Sequence, residues 1–414
     1  MAKKIFPIRT ATSCQLKWNW STLYLNGGTT ASCHRTSFSD LTSENFNDFH
    51  NTPGKIQDRE DMLAGRWPEK HCGYCKNIED QGGISDRIRQ LAIPDLVPPE
   101  VDSGNLTATH VTPQIVEVFF SNFCNLGCLY CNPSLSSSIE KENKKFGEFK
   151  QEGVDLGFQV ELVDRQAKDF IPLFWKWFPE GFPKVKRFHI LGGEPLLQKE
   201  FDKLLDMIEQ YPNKDCELNV VSNLMLPIDR LEHYINKVKN LVAKRKIRRF
   251  DISCSIDCWG PEQEYVRYGL DLKQWQRNFE RLLKEKWIYL NINQTVSVLT
   301  VKTMPALLKL VNEWRKEHEI NQWFAGITPG PEYMKCGIFD DSEWSESTKE
   351  ILSLMPYETE QEQLAHTYMK SILKDSRETD TKQINNLIIY LNEKDKRRNT
   401  DWRKVFPWLK AYET

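Results

Sequence analysis

Alternation of strand-like and helix-like segments is the feature that most limits how this chain can fold. Six segments are rich in β-branched or aromatic residues, namely 115–120, 186–191, 217–222, 249–256, 288–298 and 323–328. Between them apolar residues recur at helical spacing, as at Phe201, Leu204, Leu205 and Ile208. Strands separated by helices predict a parallel α/β array, either an open sheet or a partial barrel.

The regions on either side of this array differ from it in composition. Residues 1–95 are rich in Ser, Thr, Asn and Gly and predict a small loop-rich module with a hairpin turn at Asn26 and Gly27. Prolines punctuate residues 96–114, which predicts an extended linker before the α/β array over 115–335. Residues 336–414 are charged, carry an apolar stripe that includes Leu387 and Leu391, and predict a helical tail.

The charge balance supports no polyanionic partner. The chain has 58 acidic and 56 basic residues and a formal net charge of −2, so charge gives no support to nucleic-acid binding. No stretch approaches the roughly 18 apolar residues of a spanning helix, and no apolar signal-peptide core follows the first lysines. We therefore expect a soluble, cytoplasmic protein with no membrane partner. Seven of the 11 cysteines fall into two spaced groups, which favours metal binding over disulfides.

Three cysteines directly follow the first predicted strand. Residues 119–131 read FFSNFCNLGCLYC, which places Cys124, Cys128 and Cys131 at the spacing C-x3-C-x2-C. In αβ barrels the ends of the strands form the mouth of the active site. A structural zinc site uses four ligands, so a loop with three thiolates leaves one coordination position open for a substrate group. A zinc site or a chance spacing is the alternative interpretation.

This loop, with the aromatic Tyr130 before its last cysteine, resembles the hallmark of the radical S-adenosylmethionine (SAM) superfamily. The resemblance extends over roughly residues 115–332 and implies a partial (β/α)6 TIM-type barrel. It also implies that the three cysteines hold a 4Fe-4S cluster whose open iron chelates SAM. One electron from the reduced cluster would then split SAM to give a 5′-deoxyadenosyl radical, while the protein orients the cofactor.

Other predicted strand ends resemble the family's SAM contacts. Residues 191–196 read LGGEPL, similar to the family's GGEP segment, which implies that Gly192, Gly193 and Glu194 meet the SAM ammonium. The same resemblance implies SAM contacts at Tyr130, Asn223, Ser255, Arg267 and Ile327, and a contact to SAM or substrate at Asp257. The alternatives are an ordinary strand-to-helix turn at Pro195 and structural hydrogen bonds for the single polar residues.

A second group of cysteines precedes the predicted barrel and comprises Cys14, Cys33, Cys72 and Cys75. Four thiolates can close a metal site, and they suit either a four-iron cluster or a tetrahedral zinc ion. The pattern C…GxxxxC…CxxC is similar to the auxiliary-cluster modules called twitch and SPASM, which implies a second 4Fe-4S cluster. Those modules ordinarily follow the barrel, whereas here the cysteines come first. His34 and His71 adjoin cysteines and are alternative ligands.

Two further cysteines are candidate hydrogen-atom donors to a substrate radical. Cys258 follows a predicted strand end, and Cys336 lies in the loop after the sixth predicted strand. The role requires an accessible thiol near the active-site mouth. Free cysteines that only fill the core are the alternative.

Radical SAM enzymes with auxiliary modules frequently modify ribosomally made precursor peptides. The resemblance therefore implies a peptide substrate, with hydrogen abstraction followed by crosslinking, epimerisation or backbone excision, as in the peptide spliceases. It also implies an electron donor such as flavodoxin or ferredoxin, and a separate leader-recognition protein because no winged-helix segment is evident before the module. A radical SAM dehydrogenase or isomerase acting on a small molecule is the rival enzyme. A non-catalytic zinc or iron-sulfur binding module is the rival outside catalysis.

Overall fold

The computed structural model describes residues 11–33, 36, 38–80, 82, 85–91, 107–162, 170–327, 330–373 and 378–413. The strands are, in chain order, β1 (Trp20–Tyr24), β2 (Thr29–Ala31), β3 (Ser39–Asp40), β4 (Ile115–Phe119), β5 (Gly127–Cys128), β6 (Arg187–Leu191), β7 (Asn213–Ser222), β8 (Ile247–Ser255), β9 (Arg267–Tyr268), β10 (Tyr289–Val296) and β11 (Ile320–Gly326).

The helices are, in chain order, α1 (Leu16–Asn19), α2 (Pro53–Leu63), α3 (Glu69–Asp80), α4 (Asp86–Leu91), α5 (Ser137–Phe146), α6 (Ile171–Gly181), α7 (Lys199–Gln210), α8 (Ile228–Ala243), α9 (Pro261–Val266), α10 (Leu272–Leu283), α11 (Met304–Trp314), α12 (Ser345–Leu354), α13 (Glu360–Leu373), α14 (Thr381–Arg398) and α15 (Trp402–Val405). The chain forms two compact units. The first comprises 1–121, 165–220 and 233–250, and the second comprises 122–164, 221–232 and 251–414.

The sheet of the first unit has the strand order β3-β2-β1-β4-β6-β7. Its first three strands are antiparallel, whereas β1, β4, β6 and β7 pair in parallel. The hairpin predicted at Asn26 and Gly27 is confirmed, since β1 and β2 pair Tyr24 with Thr29 across that turn. Because β1 pairs with β4, residues 20–24 of the N-terminal region extend the same sheet as the first predicted barrel strand. The domain boundaries at 95, 114 and 335 stay a prediction.

The two faces of this sheet differ in character. Phe188 and Ile190 of β6 are fully buried, and Phe188 contacts the aromatic side chains of Phe174 and Phe178 on α6. The opposite face carries a polar row in register across four strands, formed by Thr22, Glu117, His189 and Asn219. Within this row the Thr22 hydroxyl donates to the Glu117 carboxyl at 2.9 Å. The predicted apolar stripe of α7 is buried against this unit.

Strand β7 begins four residues before the predicted start at residue 217. Its first residues are polar and have low strand propensity, so the pattern gave no strand there. The Asn213 side-chain amide donates to the carbonyls of Phe182 and Val185 at 2.8 and 2.7 Å. The strand is therefore extended by side-chain hydrogen bonds that the sequence pattern does not display.

The second unit contains a parallel arrangement of β8, β10 and β11, and a short antiparallel pair of β5 and β9. Ile252, Cys254 and Ile292 are buried on one face of this arrangement. Strand alternation therefore places Ser253 and Asn291, which pair in register, on the opposite and polar face. Strand β11 begins at Ile320, three residues earlier than predicted, because its backbone pairs with β10 as far back as Leu290.

The C-terminal region is helical as predicted. Helices α12 to α15 share a hydrophobic core with the rest of the second unit, and this core includes Trp344, Tyr390 and Trp402. The predicted stripe on α14 is buried, with Leu387 and Leu391 fully enclosed. The stripe therefore packs into the core of the second unit.

The fold class is mixed α/β with parallel strands and a helical C-terminal region, which is consistent with the predicted partial TIM-type barrel. The strands β4, β6, β7, β8, β10 and β11 follow each other along the chain with a helix between each pair. All six predicted strands are confirmed, with ends shifted by a few residues; Thr328, at the predicted end of the sixth, lies outside the described residues. Among the described residues, no helix combines the length and apolarity needed to cross a membrane.

Candidate active site and second cysteine cavity

The three-cysteine loop of the second unit is fixed by backbone and side-chain contacts. Its residues Gly127 and Cys128 form β5, which pairs with Arg267 and Tyr268 of β9. At the loop's start, the Cys124 carbonyl accepts the Ser138 hydroxyl at 2.7 Å, at the beginning of α5. The loop is therefore tied both to the β9 segment and to the first turn of a helix.

The sulfur of Cys124 already has hydrogen-bond donors. The backbone N–H of Leu126 lies 3.4 Å from Cys124 Sγ, and the amide Nδ2 of Asn223 lies 3.8 Å from it. Such donors stabilise thiolates that ligate iron-sulfur clusters. Burial raises the pKa of the Cys128 and Cys131 thiols. A bound metal would instead lower the pKa of these thiols, because a thiol that coordinates a metal ion is deprotonated.

A cluster fits this loop by the chemistry of its donors. In the part of the chain that the structure describes, no three His, Cys, Asp or Glu side chains form a ready metal-ion site. The three thiols nevertheless come from one short loop, and Cys128 and Cys124 both act electrostatically on Cys131. Cys124, Cys128 and Cys131 would be the residues that hold the cluster.

Tyr130, Asp257 and Arg267 form one buried network beside the loop. The Tyr130 hydroxyl donates to Asp257 Oδ2 at 2.7 Å, and Arg267 donates to both Asp257 oxygens at 2.9 and 2.8 Å. The Arg267 guanidinium also lies over the Tyr130 ring, 5.6 Å from its centre. Burial raises the pKa of the Tyr130 hydroxyl. The network locks the residue that precedes Cys131.

Asp257 has little capacity left for another ligand. Besides Tyr130 and Arg267, its Oδ1 accepts the backbone N–H of Thr295 at 2.8 Å, and its side chain is 0% exposed. The resemblance implies that Arg267 contacts SAM and that Asp257 contacts SAM or substrate. In the structure the two side chains form an ion pair with each other. Their observed contacts are those of residues that position the cysteine loop.

The GGEP segment lies in the first unit, at the end of β6. Gly192 and Gly193 have φ of 90° and 55°, and a Cβ at Gly192 would lie 2.8 Å from the Phe119 side chain. The Gly192 carbonyl accepts the Gln198 amide at 2.7 Å. Glu194 is fully buried, and its Oε1 accepts the backbone N–H of Leu196 at 3.1 Å. The turn thus requires glycine at position 192 and holds a buried carboxylate.

The remaining predicted SAM contacts lie in the second unit. Asn223 is buried, and its Nδ2 also donates to Asn125 Oδ1 at 2.9 Å, so it contacts the cysteine loop itself. Ser255 is buried at the end of β8, in register with Asn293 of β10. Ile327 is buried in the core shared with the C-terminal helices. The structure thus brings Asn223 to the cysteines.

Neither candidate hydrogen-atom donor is accessible. Cys258 is buried, and its thiol donates to Gln263 Oε1 at 3.6 Å. Cys336 is buried in the core shared with the C-terminal helices. The accessibility that the role requires is absent at both thiols.

The second group of cysteines lines one cavity in the first unit. Cys72 and Cys75 lie on α3, and the cavity that they line is also lined by Cys14 and Cys33. Burial raises the pKa of Cys75, and contacts with the Arg87 backbone and the Ser85 hydroxyl oppose that rise. By the chemistry of their donors, these four thiols would be the residues that hold a cluster or a zinc ion.

A buried ion pair lies in the wall of this cavity. Lys17 Nζ lies 2.5 Å from Asp58 Oδ2, with side chains 2% and 6% exposed. Burial opposes the charge of Lys17, but Cys72, Asp58 and Cys33 outweigh it and raise the pKa of Lys17. His71 lines the cavity, and its Nδ1 lies 2.6 Å from Asp58 Oδ1. His34, the other alternative ligand, lies outside the described residues.

Sequence reasoning missed several residues that hold the cluster loop. Asn125 donates to the Met225 carbonyl at 2.7 Å, and Gln263 accepts the backbone N–H of Asp257 at 3.0 Å. The Tyr390 hydroxyl donates to the Leu129 carbonyl at 2.6 Å. Only Tyr390 had a signal, since it follows Leu387 by three residues on the predicted stripe.

Comparison with protein families matches residues 118–301 to the family described as Radical SAM superfamily. A probable GTP 3′,8-cyclase of Methanococcus maripaludis strain C5 is 24% identical over 186 residues, which cover 45% of this chain and 50% of that protein. A GTP 3′,8-cyclase of Sulfurimonas denitrificans is 29% identical over 150 residues, 36% of each chain. The chain spans about half the length of the first of these relatives.

Two solved structures are similar to this chain at low scores. Native anSMEcpe with bound AdoMet has a TM-score of 0.38 and 16% identity, covering 64% of this chain and 63% of its own. Streptococcus suis SuiB bound to S-adenosylmethionine has a TM-score of 0.37 and 15% identity, covering 80% of this chain and 67% of its own.

Proposed function

We propose that this chain, whose residues 118–301 match the family described as Radical SAM superfamily, cleaves SAM reductively and abstracts hydrogen from a peptide. The observation that carries the first part is the three-cysteine loop, whose Tyr130 is locked by the buried Asp257–Arg267 pair. A loop held this firmly presents its thiols in a fixed arrangement.

The residues of this chain have separate tasks in the proposed reaction. Cys124, Cys128 and Cys131 hold a 4Fe-4S cluster, which when bound supplies the electron that splits SAM to methionine and a 5′-deoxyadenosyl radical. Asn223 donates to Cys124 Sγ and so stabilises that thiolate. The resemblance of the GGEP segment to the family's SAM contacts supports a role for Glu194 and for the backbone at Gly192 and Gly193 in contacting the SAM ammonium.

A second, auxiliary 4Fe-4S cluster on Cys14, Cys33, Cys72 and Cys75 is part of the proposal. Its support is the convergence of the four thiols on one cavity, in a twitch-like module that precedes the barrel. Two four-iron clusters predict about eight irons and eight sulfides per reconstituted chain. Cys72→Ala should lower both counts by about half. Unchanged iron and sulfide counts, or one zinc ion in place of the second set of irons, would rule out the second cluster.

The substrate proposal rests on the polar face of the second unit. Ser253 and Ser255 on β8 lie in register with Asn291 and Asn293 on β10, and Asn293 lies in register with Trp323 on β11. Over 251–255, 289–295 and 321–325, which the structure describes in full, this face has no Lys or Arg. Hydroxyls and amides suit the neutral amide groups of a peptide.

Trp323 adds an aromatic surface to this face. Its side chain is 58% exposed, and its Nε1 donates to Asn291 Oδ1 at 3.4 Å. An exposed indole held by a hydrogen bond offers a stacking surface for an aromatic or apolar side chain of a substrate. A nucleoside triphosphate is instead recognised by Arg, Lys or helix N-terminal amides. The face therefore favours a peptide over the GTP named in the curated relatives.

The substrate test compares two probes under the same conditions. Reconstituted enzyme receives SAM, dithionite and either a synthetic peptide encoded by a short open reading frame beside the gene, or GTP. We expect the peptide to accelerate 5′-deoxyadenosine formation and to lose deuterium to it when deuterated. Stimulation by GTP alone would replace the peptide with a small-molecule substrate.

The proposal includes two protein partners. An electron donor such as flavodoxin or ferredoxin would reduce the cluster, and a separate protein would recognise the precursor's leader. Replacing dithionite with reduced flavodoxin tests the first, and we expect SAM cleavage to continue. Failure with flavodoxin and with ferredoxin alike would remove that class of donor.

A further inference from the structure

The cavity lined by four cysteines also has a buried cation in its wall. Lys17 lines this cavity with its side chain 2% exposed, and its ammonium lies 2.5 Å from the Asp58 carboxylate. On the other side of that carboxylate, His71 Nδ1 lies 2.6 Å from Asp58 Oδ1. Asp58 is therefore held from two sides, and it retains a partner if Lys17 loses its charge.

Two other buried cations of the first unit have different partners. Arg87 lines the same cavity but forms an ion pair with Glu79 and donates to the Ser13 carbonyl at 2.7 Å. Lys55, which is also buried, donates to the hydroxyls of Ser21 and Thr30. Lys17 is the lysine that joins the cavity wall to an acidic residue.

Charge buried beside a redox centre changes how readily the centre accepts an electron. Two unit charges interact much more strongly in a poorly solvated site than in water. A nearby cation stabilises the reduced, more negative state, and a nearby carboxylate destabilises it. Net charge and burial are among the factors that set iron-sulfur potentials.

We propose that Lys17 and Asp58 set the reduction potential of the auxiliary cluster, Lys17 raising it and Asp58 lowering it. This inference rests on the proposed function, because it requires the cluster on Cys14, Cys33, Cys72 and Cys75. Both residues would act through their charge alone and would not ligate iron. The two opposite charges balance each other. Removal of the Lys17 charge should therefore lower the potential, and removal of the Asp58 charge should raise it.

The test uses the full chain with Cys124, Cys128 and Cys131 changed to Ala, so that only the auxiliary cluster remains. Redox titration with mediators, followed by electron paramagnetic resonance, gives the midpoint potential. At a fixed applied potential we expect Lys17→Met to lower the reduced-to-oxidised ratio about tenfold, a shift of about 59 mV for one electron. Asp58→Asn should raise the ratio by a similar factor, and Lys17→Arg should leave it unchanged.

The control is Lys244→Met, which removes the same charge from an exposed lysine paired with Glu209. Solvent screening should leave its midpoint potential at the starting value. Unshifted potentials in Lys17→Met and Asp58→Asn, with iron and sulfide counts retained, would overturn the role of the ion pair. If Lys17→Met does not fold, the sign of the Asp58→Asn shift decides. Absence of iron from the starting protein would instead overturn the auxiliary cluster itself.

Discussion

The hydroxyl of Tyr390 donates a hydrogen bond to the carbonyl of Leu129 at 2.6 Å, although 261 residues separate them in sequence. Leu129 lies directly after Cys128, and Tyr390 lies on α14. On the same helix, Arg398 forms an ion pair with Glu142 of α5 and lies over the Tyr268 ring beside β5. Helix α14 therefore supports the cysteine loop from outside the predicted barrel.

Tyr390→Phe should loosen the cluster loop. The change removes one buried hydrogen bond and leaves the Leu129 carbonyl without that donor, which costs about 1–3 kcal/mol. We expect a lower urea midpoint and faster loss of iron to a chelator. The control Tyr412→Phe removes a hydrogen bond from Tyr412 to Glu343 at 3.0 Å, and its iron should be lost at the wild-type rate. Equal loss rates in both variants would contradict support by α14.

Asp257→Asn should destabilise the second unit strongly. The change leaves the Arg267 charge buried without its partner, and breaking such a pair costs about 3–5 kcal/mol. Denaturant unfolding should show this loss, and SAM cleavage should fall with it. Asp206→Asn, at an exposed carboxylate paired with Lys237, should change stability by less than about 0.5 kcal/mol. A mild effect at Asp257 would show that the network does not hold the loop.

Glu117 should make stability depend on pH. Burial raises the pKa of Glu117 to about 7, against 4.5 for the free side chain. The folded chain therefore favours the protonated carboxyl, and this stabilisation, complete below pH 4.5, is lost as the pH rises through 7. It amounts to about 3 kcal/mol. The measurement is the difference in unfolding free energy between wild type and Glu117→Gln.

That difference should move in favour of Glu117→Gln by about 3 kcal/mol between pH 4.5 and 8. The control Glu152→Gln changes an exposed side chain and should alter stability by less than about 0.5 kcal/mol. Parallel curves for wild type and Glu117→Gln would mean that this carboxyl titrates at its ordinary pKa in the folded chain.

Gly192→Ala should disrupt the GGEP turn. The residue has φ of 90°, and an added Cβ would lie 2.8 Å from Phe119, so both the backbone and the neighbouring ring must shift. We expect a loss of about 1–3 kcal/mol in stability and weaker SAM binding by calorimetry. Gly27→Ala meets only ordinary contacts at 3.9 Å and should bind SAM like wild type. Wild-type binding by Gly192→Ala would dissociate this turn from the SAM site.

Local patterns predicted the fold well because they record burial. The alternation of strands and stripes predicted six strands and the helix α7, all of which are present, and Asn26 with Gly27 located the hairpin. The start of β7 was missed because side-chain hydrogen bonds from Asn213, not strand propensity, hold it. Hydrophobic sequence patterns thus indicate which residues are buried, but they do not indicate which side-chain hydrogen bonds extend a strand.

The sequence predicted those parts of the site whose chemistry depends on the spacing of residues along the chain. The cysteines were found from their intervals and Gly192 from its motif. The contact between Asp257 and Tyr130 was not predicted, because the two residues lie 127 positions apart and only folding brings them together. The contact between Tyr390 and Leu129 was missed for the same reason, although the stripe on α14 indicated that this helix is buried.

The most direct test of the central claim is SAM cleavage by anaerobically reconstituted protein with dithionite, measured as 5′-deoxyadenosine. The account predicts product from the wild type and from Cys216→Ala, which changes a buried cysteine outside both groups, and none from Cys124→Ala. No product from the wild type, or equal product from Cys124→Ala, would contradict it.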